Sequence, residues 1–269
     1  MALLKHSGKE LTKEEAMKRS YFGIFFRHFF DLFRLNLLYV ACNLVFIIAF
    51  IWLSLPYLFN LDMVLSQLLS EQMILIPPEP FIPFLFMGPF IAGLTYVLRN
   101  WSRQEHAFIV YDFFDQTKEN WKQSLLLSVL GTVFTYIFAN AVLFYIKAGL
   151  PSIIILPIAG FIGIILISMS FYTYPMIVTF QMGLKDILVN AWIFAMAKLP
   201  QNIFYMIVIG LVHSVLISNL PVFWAILMVC ILICWTGYTI NFYVWNVLDK
   251  YIIERMEPVN KDGAEEEAF

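Results

Sequence analysis

The chain has 269 residues, 61% hydrophobic and only 13% charged, with a mean hydropathy of +0.79. A soluble domain carries about a quarter charged residues and under half apolar ones, so the composition excludes an ordinary soluble domain and implies a polytopic membrane protein. The net charge of −2 decides little, because in such a chain the placement of charge matters more than its sum.

Residues 1–20 are hydrophilic and lack the apolar core and small-residue cleavage site of a signal peptide, so none is expected. From Tyr21, aromatics alternate with Arg27, His28, Asp31 and Arg34, the pattern of an interfacial amphipathic helix with its rings in the headgroup layer. Residues 1–34 are therefore read as a cytoplasmic tail and interfacial helix. The first span is predicted at Leu35–Leu55, near the ~20 residues a bilayer core requires.

Residues 56–80 contain Asp62, Glu71 and Glu79 but no Lys or Arg, and apolar residues recur at helical spacing from Leu61 to Leu69. That predicts an outer loop with a surface helix, stopped by Pro77, Pro78 and Pro80. The second span is predicted at Phe81–Leu98, bent by Pro83 and Pro89. It carries a small-residue face at Gly88, Ala92 and Gly93, expected to be a close helix contact together with Pro89.

A connector follows at 99–123. It holds Trp101, Arg103, Asp112, Phe113, Phe114, Asp115, Lys118 and Trp121, an aromatic and charged set of the kind that protein contacts favour. These eight are the candidate partner-contact residues. Spans three to six are predicted at Ser124–Ile146, Ser152–Phe180, Ile203–Ile217 and Val222–Val247, with a second connector at 181–202 and an acidic tail at 248–269. Gly88-Pro89 through Lys118 and Asn120 echoes Tyr174-Pro175 through Lys198 and Asn202. A duplicated hairpin and the shared grammar of membrane helices both account for that echo.

With six spans across residues 35–247, sixteen of the seventeen Lys and Arg fall on one side and only Lys147 on the other. The positive-inside rule then places both termini and both long connectors in the cytoplasm. The fold class expected is all-α, six transmembrane helices.

No P-loop, HExxH or CxxC motif is present, and no His or Cys cluster has metal-ligand spacing. Cys42, Cys230 and Cys234 lie in apolar runs and read as packing residues. No catalytic, cofactor-binding or metal site is expected, and no nucleic-acid partner. The candidate intramembrane polar residues are His213, Asn43 and Asn140. His213 reads either as a proton or substrate group or as a histidine bonded to a neighbour; the asparagines read as interhelical hydrogen-bonding groups. The ladder Gly210, Ser214, Ser218 and the pair Ala159/Gly163 suit close contacts, internal or with a partner.

FFDLFRLNLLYV, GPFIAGLTYVLRNWSR with DFFDQTKENWKQS, YPMIVTF and LDKYI together resemble the YesL-like family of small bacterial integral membrane proteins, over about residues 25–255. The outer segment 57–82 is longer than the short link of that family. The resemblance implies a multi-pass protein of the bacterial cytoplasmic membrane that accompanies carbohydrate ABC importers. No biochemical activity is assigned to that family and no site residues are established to carry over, and the chain is not expected to be an enzyme. It is not expected to be the permease itself: residues 181–200 offer Gly183 and Leu199-Pro200, but lack the Glu-Ala-Ala start of the ATPase-binding loop. The leading expectation is an accessory subunit contacting lipid and permease subunits, or a second copy of itself. The alternative is a stand-alone six-helix transporter.

Overall fold

The Ser20 hydroxyl accepts the Gly23 N–H at 3.1 Å and so starts the first helix, α1 (Tyr21–Arg27), by satisfying one of its orphan donors. The computed structural model describes residues 20–60, 66 and 76–253. The N-terminal tail, the outer surface helix expected around 61–75 and the acidic tail beyond 253 lie outside the described residues. Within them the chain is all-helical: α2 (Phe29–Cys42), α3 (Leu44–Phe59), a 3-10 stretch (Glu79–Phe86), α4 (Gly88–Ser102), α5 (Ile109–Glu119), α6 (Trp121–Lys147), α7 (Ser152–Ile177), α8 (Leu184–Ala197), α9 (Leu199–Asn219), α10 (Pro221–Leu227) and α11 (Ile233–Leu248).

Four helical stretches are long and apolar enough to cross a bilayer unbroken: α6, α7, α9 and the continuous run Pro221–Tyr251. Two more candidates are bent pairs, α2 with α3 at 63° and the 3-10 stretch with α4 at 50°. The described chain thus has four to six candidate spans. The sequence predicts an unbroken first span from Leu35. Instead α2 runs through residue 34 and stops at Asn43, where the Asn side chain donates to the Tyr39 carbonyl at 2.9 Å, in competition with the helical ladder. In the second pair Pro80 and Pro83 remove backbone donors and the chain adopts a 3-10 form. The bend falls at Met87, and Pro89 then occupies the first turn of α4, where no donor is required.

The last span contains a third irregularity, a π-helical stretch at Met228–Leu232 between α10 and α11. Asn36 of α2, fully buried, fits into it. Its amide donates to the carbonyls of Met228 and Val229 at 2.9 and 2.6 Å, and its carbonyl accepts the Cys234 N–H at 2.8 Å. One side chain therefore satisfies three backbone groups that the π-turn leaves open. Farther along, Tyr21 meets Tyr238, Thr239 and Phe242, so α1 and α2 run antiparallel along α11.

Helix α4 lies between two apolar clusters. Ala92 joins Tyr172, Met176, Ile187, Ala191 and Tyr243 on one side. Leu94, Val97, Leu98 and Trp101 join Ile24, Leu32, Leu35 and Tyr238 on the other. The two connector helices both fold back: α5 packs on α4 and α8 on α7, which gives the sequence echo a common shape. Away from this end the spans separate. Only 6% of the most apolar window of α9 is buried, so its surface is left to lipid. Gly163 and Gly210 have no other atom within 4 Å of where a Cβ would stand; the contacts expected at these two small-residue positions are not internal.

Helix α4 ends in a Schellman turn, with Glu105 N–H on the Asn100 carbonyl at 2.8 Å and Gln104 N–H on the Trp101 carbonyl at 2.9 Å. The position that favours Gly is occupied by the exposed Gln104, at φ 60°. Gln104→Gly is expected to stabilise the protein by about 0.5–1 kcal/mol through relief of the left-handed strain, seen as a higher melting temperature in detergent. A lower one would mean that chain entropy outweighs the strain.

Candidate functional site

The small face of α4 sits against backbone. A Cβ on Gly93 would meet the Phe113 carbonyl and the Thr117 hydroxyl of α5, and one on Gly88 would meet the Ser124 carbonyl and the Ser128 hydroxyl of α6. Ala92 is fully buried between them. Both glycines are thus needed for close approach: Gly93 fixes how α5 lies along α4, and Gly88 fixes how α6 does.

Nearly two turns farther on, Arg99 is 7% exposed and binds α7. Its guanidinium donates to the Val178 carbonyl and to the Thr179 hydroxyl at 3.2 Å, and twice to the Asn100 side-chain oxygen at 3.1 and 2.7 Å. It also lies over the Tyr96 ring, 4.4 Å from the centroid. No described carboxylate forms an ion pair with it. Its compensation comes from two helix C-termini: Arg99 is in the last turn of α4, and Val178 caps α7. This bracket ties together the two hairpins that carry α5 and α8.

The eight candidate contact residues divide on this scaffold. Trp101 is 2% exposed and stacks on His28 at 4.9 Å, and Phe113 is fully buried against α4. Neither can present itself to a partner: Trp101 is packed into the second cluster from α4, and on α5 helical spacing turns Ile109, Phe113 and Thr117 inward together. Arg103 covers the Trp245 ring and pairs with Glu105 at 2.8 Å. Asp112 accepts the Phe108 N–H at 2.8 Å and so caps α5; its charge has a local structural purpose. Phe114, Asp115, Lys118 and Trp121 remain on the surface, joined by Tyr111 at 70% exposed. On α8, Ile187, Ala191 and Phe194 face inward, while Val189, Trp192, Ile193 and Met196 are exposed.

Among the intramembrane candidates, His213 lies between Thr236 and Trp224, each at 3.1 Å. The Trp224 indole can only donate, so Nδ1 accepts and Nε2 carries the proton toward Thr236. Asn140 accepts the Ile76 N–H at 2.7 Å and joins α6 to the stretch before the 3-10 turn. Asn43 bonds within its own helix, contrary to the interhelical role expected of it, and its carbonyl oxygen is buried without a partner.

Other residues carry the interhelical bonding. Asn202 accepts from the hydroxyls of Tyr172 and Tyr243 at 2.8 and 2.7 Å and donates to the Ala195 carbonyl at 3.1 Å, joining α7, α8, α9 and α11. Asn36 and Asn202 had a sequence signal, an amide in an apolar run that must find partners. Arg99 reads in sequence as the charge that ends a span. At the connector end, burial beneath Trp101 lowers the pKa of His28 in spite of Asp31 at 3.4 Å. Among the described residues no three metal-ligating side chains gather. What the site offers chemically is a rigid, interlocked platform with an aromatic and charged outer face.

Residues 81–142, from the 3-10 stretch through most of α6, match a family described as a protein of unknown function, DUF624. The matched part contains the Gly88 face, Arg99 with Asn100, and all of α5, whereas Val178 and Thr179 lie beyond it. No curated protein and no solved structure matches the chain.

Proposed function

We propose that the chain is an accessory subunit of a carbohydrate ABC uptake system in a bacterial cytoplasmic membrane, docking through the exposed face of α5. The observation that supports this reading is the division of α5 itself. Its inner face is fixed on α4 by Phe113 and Thr117, while Tyr111, Phe114, Asp115 and Lys118 point away from the protein. Aromatic and charged groups held on a rigid helix suit a protein contact; acids are disfavoured at an anionic inner leaflet. The kind of partner is taken from the YesL-like resemblance, with a second copy of the chain as the other candidate.

Phe114→Ser combined with Asp115→Lys, leaving buried Phe113 intact, is expected to reduce co-purifying permease about tenfold, on the order of 1.4 kcal/mol. Insertion and melting temperature should hold, and uptake should fall only where that permease is present. Undiminished recovery of the permease would refute the docking site.

The stand-alone transporter is favoured by one feature, the two broken candidate spans, since interrupted helices line the binding sites of many transporters. Sugar flux through liposomes containing only this protein would decide for it. Our reading also includes six spans with both termini cytoplasmic, based on the sixteen-to-one distribution of Lys and Arg. Single cysteines at positions 66, 116 and 263, in a background lacking Cys42, Cys230 and Cys234, test that topology. In intact protoplasts an impermeant thiol reagent should label only position 66.

A further inference from the structure

Between α2 and the segment leading into α5 lies a groove of about 630 Å3, within the size range of small-molecule sites. Leu38, Ile109 and Val110 supply its apolar lining, and Asp31, Arg34 and His106 its polar lining. Asp31 and Arg34 stand one helical turn apart with their charged atoms at 3.6 Å, the side chains 37% and 73% exposed. Asp31 also meets His28 Nδ1 at 3.4 Å through its other oxygen, but a carboxylate accepts several bonds, so it and the exposed Arg34 head both have room for a further partner. The same helix exposes Phe30, Phe33 and Leu37, so the charged pair borders a surface suited to acyl chains.

A carboxylate beside a guanidinium has no net charge but a fixed direction. Its complement is a ligand with a phosphate and an ammonium a few bonds apart. A headgroup that is only anionic meets repulsion at Asp31, and a choline headgroup has no N–H to donate. We infer that this groove holds the headgroup of an ethanolamine phospholipid, its phosphate on Arg34 and its ammonium on Asp31, with the chains along Leu38 and the α2 aromatics.

Native mass spectrometry of the full chain in detergent, titrated with phosphatidylethanolamine, phosphatidylglycerol and phosphatidylcholine of matched chains, tests this. The ethanolamine lipid should bind about tenfold more tightly than either other lipid, as charge-assisted bonds at both ends would give. Asp31→Asn and Arg34→Gln should each abolish the preference, and Leu38→Trp should block the groove without altering its charges. Lys185→Gln, outside both the groove and the α5 face, should preserve it. Equal binding of the three lipids, or a preference that survives in either charge variant, overturns the assignment.

Discussion

Arg99→Met is expected to destabilise the protein by roughly 2–4 kcal/mol, the largest loss from any single polar side chain here. The substitution strands the Val178 carbonyl at the end of α7 and the Asn100 side-chain oxygen, two acceptors in a buried setting. Each unsatisfied group costs about 1–3 kcal/mol. Release of the guanidinium from its desolvated position offsets part of that sum. Arg99→Lys retains the charge but not the fork that reaches α7 and Asn100 together, so it should recover less than half of the loss. Melting in detergent measures both variants, and a double-mutant cycle with Asn100→Ala isolates their shared term. A melting temperature unchanged in Arg99→Met would mean that desolvation cancels the bonds, and that the bracket does not hold the hairpins.

Much of this architecture can be read from residue patterning. Apolar runs near the length of a bilayer, three of them opening at Pro151, Pro200 and Pro221, locate the unbroken spans within a few residues. The stretch from Gly88 to Ser102 stands out in the sequence for its small face and is the helix between the two cores. The bend of the second span was legible from its prolines, but the breaks at Asn43 and at Met228–Leu232 were not. Asn36, Asn43, Asn140 and Asn202 all lie in apolar surroundings in sequence, yet one fits a π-turn, one interrupts its own helix, one holds a 3-10 approach and one joins four helices. Which role an amide takes depends on the backbone groups that a neighbouring irregularity leaves open. That information is tertiary.

The candidate contact patch shows the same division at finer scale. Phe113 and Phe114 are adjacent in sequence but about 100° apart around α5, so one is fully buried and the other 37% exposed. The inward spacing of Ile109, Phe113 and Thr117 is present in the sequence. Its meaning depends on knowing that residues 109–119 form a helix rather than a loop.

Gly93→Ala and Gly88→Ala should each destabilise by about 1–3 kcal/mol, although a single methyl is added and alanine is the better helix former. At both positions the added carbon would stand within 3.0 Å of another helix's backbone, which cannot turn aside as a side chain can. Gly237→Ala is a graded control, because its nearest contact is the Leu98 Cδ1 at 2.7 Å, the end of a flexible chain. It should cost less than either. Gly131, Gly160, Gly163 and Gly210 have nothing within 4 Å, so alanine there should be neutral or raise the melting temperature. The comparison controls for helix propensity, since every substitution is Gly→Ala on a helix. Because Gly93 abuts the α5 backbone, Gly93→Ala should also shift α5 and reduce permease recovery if α5 is the docking face. Gly88→Ala moves the α6 contact instead and should affect stability more than recovery. If all seven variants melt alike, the helices do not approach as closely as the structure places them, and α4 loses its standing as the element around which the connectors are set.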